Sequence, residues 1–220
     1  VGAGRSEIVR AIFGADRCSG VVELDGRPPR PRRPATSVRR GLAFLPESRK
    51  EQGLVMMRSV RENVAMAHLD DVTRFGLVRP SRERAVVDGV LRSVDARAAS
   101  TSLPVPALSG GNQQKVALAK WLVRPPRVLI ADEPTRGVDV GAKRSIYELL
   151  HRLAEQGVAV LIVSSETEEL LGLAHRILVV RGGRIVAELP RAVADEASVM
   201  RAAFGGTGSD NPRPGTSSER

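Results

Sequence analysis

The chain has little with which to stack a base or staple a loop. Aromatic residues make up 3% of its 220 residues, as four Phe, one Trp and one Tyr. Binding of nucleic acid on aromatic platforms is therefore poorly supported. One cysteine, Cys18, excludes an internal disulfide and suits a reducing compartment. It reads as a surface or half-buried loop residue. No apolar run approaches the ~20 residues that a membrane-spanning helix needs. The first residues lack the basic stretch followed by an apolar one that marks a secretory leader. No internal repeat is evident.

What is present suits one soluble domain with room for a small lobe, since 42% of the residues are hydrophobic. The net charge of +9 has two readings. One is a polyanionic partner such as ATP, acidic headgroups or nucleic acid. The simpler one is a solvated, arginine-rich surface. The densest basic run, residues 27–40, alternates arginine with proline and carries no aromatics, so nucleic acid is not the expected partner.

Continuous apolar runs at 128–131, 158–163 and 177–180 suit strands buried on both faces of a parallel sheet. Helical patterns at 142–155 and 166–173 lie between them, an α/β alternation. Further strands are expected at 21–24 and 42–45, and a hairpin turn at 181–184 leading into 185–188. Helices are expected at 7–13, at 59–67 with Ser59 as N-cap and Glu62 completing a capping box, at 80–94 and at 113–123. Residues 205–220 are rich in Gly, Ser, Pro and charge, and read as a disordered tail.

The run Leu108, Ser109, Gly110, Gly111, Asn112, Gln113, Gln114, Lys115 carries the strongest chemical signal. A Ser-Gly-Gly turn opening a helix offers backbone N–H groups, a hydroxyl and the positive end of a helix dipole to an anion. Asp132 and Glu133 follow the apolar run 128–131, where a phosphate-bound Mg²⁺ and an attacking water need negative charge. Near the start, Gly2, Ala3, Gly4, Arg5, Ser6 and Glu7 read as the later part of a phosphate-binding loop opening a helix.

Residues 108–115 resemble the signature motif of ATP-binding cassette (ABC) proteins, and residues 128–133 resemble their Walker B strand. Residues 112–115 together with 135–142 are similar to the second cassette of the tandem ATPases that power bacterial sugar importers of the ribose, xylose and galactose type. The resemblance covers residues 1–204. It implies a P-loop NTPase cassette with a parallel-sheet core, a small antiparallel β part and a helical signature subdomain. ATP and Mg²⁺ would be its cofactors. A first strand and the start of the phosphate loop would lie ahead of Val1, in a longer native chain.

Residue by residue, the resemblance implies that Ser6 and Asp132 hold Mg²⁺, that Glu133 activates water, and that Gly2 to Glu7 cradle phosphates. Ser6 has a plainer role as a helix N-cap. Leu108 to Gln113 would face the nucleotide of a second cassette, and Asp139 would form the D-loop that crosses to it. Four positions depart from the family pattern. Arg5 stands for the usual Lys, which changes the donor geometry. Glu7 stands where a hydroxyl residue is common, a carboxylate that must point away from phosphates. Glu47 occupies the Q-loop position, with Gln52 as a less convincing substitute. Ser165 occupies the position of the switch histidine and can bond a phosphate but not carry its charge. The expected reading is a sound signature for the partner's ATP and a weaker nucleotide site of the chain's own.

Expected partners are that second cassette, membrane permease subunits and, indirectly, a solute-binding protein, at the cytoplasmic face of the plasma membrane. Met56, Met57 and Val60 form either an apolar contact with the permease or ordinary core. The alternatives are a nucleoside or other small-solute importer, and a soluble, non-transport ABC ATPase.

Overall fold

The computed structural model describes residues 2–28 and 33–205. Its centre is a three-stranded parallel sheet in the order β1 (Leu42–Leu45), β4 (Val128–Asp132), β5 (Ala159–Val163). Phe44 pairs with Ile130, and Ala131 with Ile162. The apolar runs of β1 and β4 are buried because helices cover both faces. Helices α1 (Arg5–Phe13), α2 (Pro34–Arg39) and α5 (Gly110–Leu122) pack on β1, and α6 (Val140–Glu155) packs on β5. Parallel strands end on one rim, so the residues after β4 and β5 emerge side by side, where α/β proteins bind ligands.

Three aromatic residues anchor the helix that opens at the glycine loop. Phe13 stacks on Phe44 at 5.3 Å and meets the edge of Trp121 at 6.0 Å, tying α1 to β1 and α5. A small helical lobe holds α3 (Val60–Ala65) and α4 (Pro80–Ser93) against α5. The capping box forms as expected: the Ser59 N–H donates to Glu62 Oε2 at 2.9 Å and the Glu62 N–H to Ser59 Oγ at 3.2 Å. Between α3 and α4 sits a minimal hairpin of β2 (Thr73–Arg74) and β3 (Leu77–Val78).

Helix α5 begins at Gly110, ahead of the expected residue 113, because Ser109 caps it and both glycines belong to its first turn. It is buried from Gln113 to Trp121, lysines included. Lys115 reaches out to the Asp95 carbonyl at 2.9 Å, and Lys120 donates to the Gly53 carbonyl at 2.6 Å.

Two expectations are corrected. Residues 21–24 form no strand; Leu24 makes a single bridge to Arg27, and Val21 is exposed. The run 177–180 is not in the parallel sheet. It lies in β6 (Arg176–Arg181), which pairs antiparallel with β7 (Arg184–Pro190) through the expected turn. Its burial alternates: Ile177 and Val179 point into a second, small core with α7 (Thr167–Leu173) and α8 (Glu196–Phe204), while Leu178 is partly exposed. Of the two readings open for the apolar trio, ordinary core holds for Val60, which is fully buried, whereas Met57 is 91% exposed. Of the expected tail, residues 206–220 lie outside the described residues.

Candidate functional site

Gly2 and Gly4 adopt left-handed backbone conformations, with φ of 81° and 88°. They fold the loop tightly over the start of α1, a geometry that suits glycine. A side chain at Gly4 would also press on the Gly183 backbone at 3.0 Å. The loop is moored at the β6–β7 turn, where the Gly183 N–H donates to the Ala3 carbonyl at 2.9 Å. The Ser6 hydroxyl, one residue into α1, lies near the Asp132 carboxylate and favours its charged form.

Asp132 is 2% exposed, and its Oδ1 has no hydrogen-bond partner. Burial pushes its carboxyl pKa up, with the nearby Ser6 hydroxyl pulling the other way. A buried carboxylate with one oxygen unsatisfied, beside a hydroxyl and a glycine loop, fits a hard divalent cation. Among the described residues no cluster of three or more His, Cys, Asp or Glu forms a cage. Mg²⁺ suits such a sparse set, since it keeps waters and substrate phosphates in its shell.

Glu133 follows at φ 48°, a left-handed conformation uncommon for a side-chain-bearing residue. Its N–H donates to the Val163 carbonyl at 2.8 Å, and its Oε2 accepts from Ser165 Oγ at 3.2 Å. Arg5 turns into the same cleft. Its guanidinium donates to the Ser164 carbonyl at 2.6 Å and comes within 4.0 Å of Glu133 Oε1. Glu7 is exposed, as a carboxylate in this loop should be. Ser6, Asp132, Glu133, Ser165 and Arg5 are thus brought together. Glu47 pairs instead with Arg136, and Gln52 is exposed.

The signature residues make a separate surface, joined by no hydrogen bond or ion pair to residues 2–7 among the described residues. Ser109 Oγ is exposed and accepts from the Asn112 side-chain amide at 3.0 Å. Gln113 Nε2 donates to the Leu108 carbonyl at 3.0 Å. The glycines are required by packing: a Cβ at Gly111 would sit 2.6 Å from Ala142 Cβ, and one at Gly110 3.3 Å from the Gly137 carbonyl oxygen. Asp139 caps α6, its Oδ1 accepting from the Ala142 N–H at 2.9 Å.

Arg49 went unread in the sequence. Its guanidinium donates to the carbonyls of Arg136 at 2.9 Å and Gly137 at 3.1 Å, and to Gln113 Oε1 at 3.4 Å. It ties the turn after β1 to the signature helix and to the loop after β4. Gln114 adds a buried bond to the Pro134 carbonyl at 2.7 Å. Glu169, buried under Ser164 and Thr135, also went unread. No spacing rule marks Arg49 or Glu169: the partners of Arg49 lie 64 or more residues away, and Glu169 matters only because it joins Ser164 to Thr135, which lies 34 residues before Glu169.

A parallel sheet whose strand ends meet a glycine loop, with an acidic pair beside it and a capped signature helix apart from it, defines a P-loop cassette of the ATP-binding type. The model of the ABC transporter family matches residues 1–136, and the chain belongs to that family. It is 47% identical over 207 residues to the ribose import ATP-binding protein RbsA of Geobacillus kaustophilus, covering 94% of this chain and 42% of that protein. It is 50% identical over 206 residues to the ribose import ATP-binding protein RbsA 2 of Streptomyces avermitilis, covering 93% and 41%. The chain therefore spans less than half the length of these relatives. Among solved structures it is similar to an ATP-binding cassette in a dimeric, post-hydrolysis state bound to ADP and phosphate. The TM-score is 0.74 at 22% identity, over 86% of this chain and 82% of that one. At that identity the likeness concerns the fold.

Proposed function

We propose that this chain is the ATP-binding and ATP-hydrolysing cassette of an importer for a monosaccharide, and that it works as half of a pair. The observation that carries the reading is Asp132, a buried carboxylate with an unpartnered oxygen between Ser6 and the glycine loop. Backbone N–H groups from Gly2 to Ser6 would cradle phosphates, and Ser6 and Asp132 would hold Mg²⁺. The ion would supply positive charge to offset that developing on the transferred phosphoryl group. Glu133 is the general base for water, and the Ser165 hydroxyl orients it. The ribose import relatives support a monosaccharide as cargo.

The finer reading is that of the second cassette in a tandem chain, with residues 1–204 as its ATP-binding domain. A strand ahead of Gly2 would lie between β5 and β6. In support, each of these strands pairs on one side only among the described residues. Arg5 and Ala3 bond just beyond their C-terminal ends, at Ser164 and Gly183. Permease subunits and, through them, a solute-binding protein are the further partners, at the cytoplasmic face of the plasma membrane. No helix among the described residues is long and apolar enough to cross a membrane.

The chain's own nucleotide site is the weaker of two. Arg5 is engaged with Ser164 and Glu133, and a serine stands at position 165. The signature, by contrast, is intact and capped for the partner's ATP. In a transport assay on the full-length protein, Ser109→Arg abolishes uptake and Arg5→Ala is milder. Equal loss from both variants would overturn the asymmetry.

A further inference from the structure

Glu169 is a buried carboxylate that the proposed mechanism does not use. It lies in α7, is 5% exposed, and makes no ion pair among the described residues. A charge taken out of water without a cation is costly unless hydrogen bonds satisfy it. An apolar side chain would serve better if packing were the only task. The carboxylate has two donors, both buried hydroxyls. Thr135 Oγ1 donates to Oε1 at 3.2 Å, and Ser164 Oγ donates to Oε2.

These hydroxyls belong to the two loops that carry the hydrolytic residues. Thr135 is two residues after Glu133, and Ser164 is one before Ser165. The same loops are linked by the Glu133 N–H to the Val163 carbonyl and by Ser165 to the Glu133 carboxylate. Glu133 holds a left-handed backbone, which persists only where its surroundings enforce it.

We infer that Glu169 is a positioning residue: its carboxylate clamps the loop after β4 to the loop after β5, and so keeps Glu133 and Ser165 face to face. This rests on the reading of Glu133 as general base. Burial raises the Glu169 carboxyl pKa, consistent with a group that only its two hydroxyl partners satisfy. A glutamine would retain most of the clamp, since an amide can accept from one hydroxyl and donate to the other. A leucine would retain none.

The test uses the full-length chain. Glu169→Leu lowers kcat by about tenfold or more while the ATP Kd stays within about twofold, as misplacement of a catalytic group requires. Glu169→Gln restores most of the rate. Adding Thr135→Val to Glu169→Leu causes little further loss, because the bond is already gone. Amide hydrogen exchange at Glu133 gives a readout free of activity: it speeds up in Glu169→Leu and in Thr135→Val, and not in Glu169→Gln. Thr135→Val, a small swap, decides the matter if Glu169→Leu does not fold. A loss of ATP affinity (a higher Kd) alongside the loss of kcat, or unchanged exchange at Glu133, would overturn the clamp. A wild-type protein that never hydrolyses ATP would overturn the base reading, and the exchange experiment would still decide the clamp.

Discussion

A single methyl group at Gly111 should disable the signature. Its added Cβ would lie 2.6 Å from Ala142 Cβ. Carbon atoms in contact prefer about 3.5–4.0 Å, so the starts of α5 and α6 must part by about 1 Å. Overpacking of this kind costs about 1–3 kcal/mol. Alanine returns up to about 1 kcal/mol of helix propensity over glycine. Gly111 has no positive φ, so backbone strain adds nothing. The balance is a loss of about 1–2 kcal/mol, read as a lower urea midpoint at unchanged slope. The displaced atoms include Ser109, and a shift of about 1 Å at a positioning group can cost on the order of 100-fold in rate. ATP turnover of the full-length chain should therefore fall further than stability does. Ala142→Gly in the same chain removes the opposing methyl and should restore both. A stable, active Gly111→Ala, or a Gly111→Ala that Ala142→Gly fails to rescue, would refute the packing argument.

Other consequences are as direct. Lys120 is buried against Trp121 and donates to the Gly53 carbonyl, and burial lowers its amine pKa from 10.5 to about 8. Between those values the unfolded chain binds the proton and the folded chain does not, so stability rises with pH across the window. That contribution is about 3 kcal/mol in full and is lost as pH falls through 8. Lys120→Met should flatten the rise in urea unfolding between pH 8 and 10.5; an unchanged slope would exclude Lys120 as its source. Ser59→Ala breaks the capping box of α3 and should cost about 1 kcal/mol. ATP affinity should stay within about twofold, since no hydrogen bond or ion pair joins the lobe to the glycine loop among the described residues. A neutral Ser59→Ala would mean that the cap contributes nothing.

Much of the scaffold was legible because burial leaves a plain mark. The apolar runs of β1, β4 and β5 and the Ser59–Glu62 cap read directly. The run 177–180 misled, since its apolar letters look the same whether both faces are covered or one; only its pairing with β7 separates the two cases. Helices α2 and α8 and the β2–β3 hairpin are short and weakly patterned, and were not seen. At the site, Ser6, Asp132, Glu133 and Ser165 lie together, each on a motif that the sequence displays. Arg49 and Glu169 were invisible because their roles come from tertiary partners. Arg49 bonds a carbonyl 87 residues away, and Glu169 binds two hydroxyls that mean nothing until the loops meet.

The most direct test of the account is Asp132→Asn in the full-length chain, followed by thermal unfolding with and without Mg²⁺ and ATP. Burial raises the Asp132 carboxyl pKa, so its charge opposes folding at neutral pH when no cation is bound. The account predicts that Asp132→Asn melts higher than wild type without ligand, and that the Mg²⁺-dependent stabilisation by ATP seen in wild type disappears. A wild type indifferent to Mg²⁺, or an Asp132→Asn that keeps the full Mg²⁺ effect, would contradict the assignment of Asp132 as the cation's ligand and with it the proposed site.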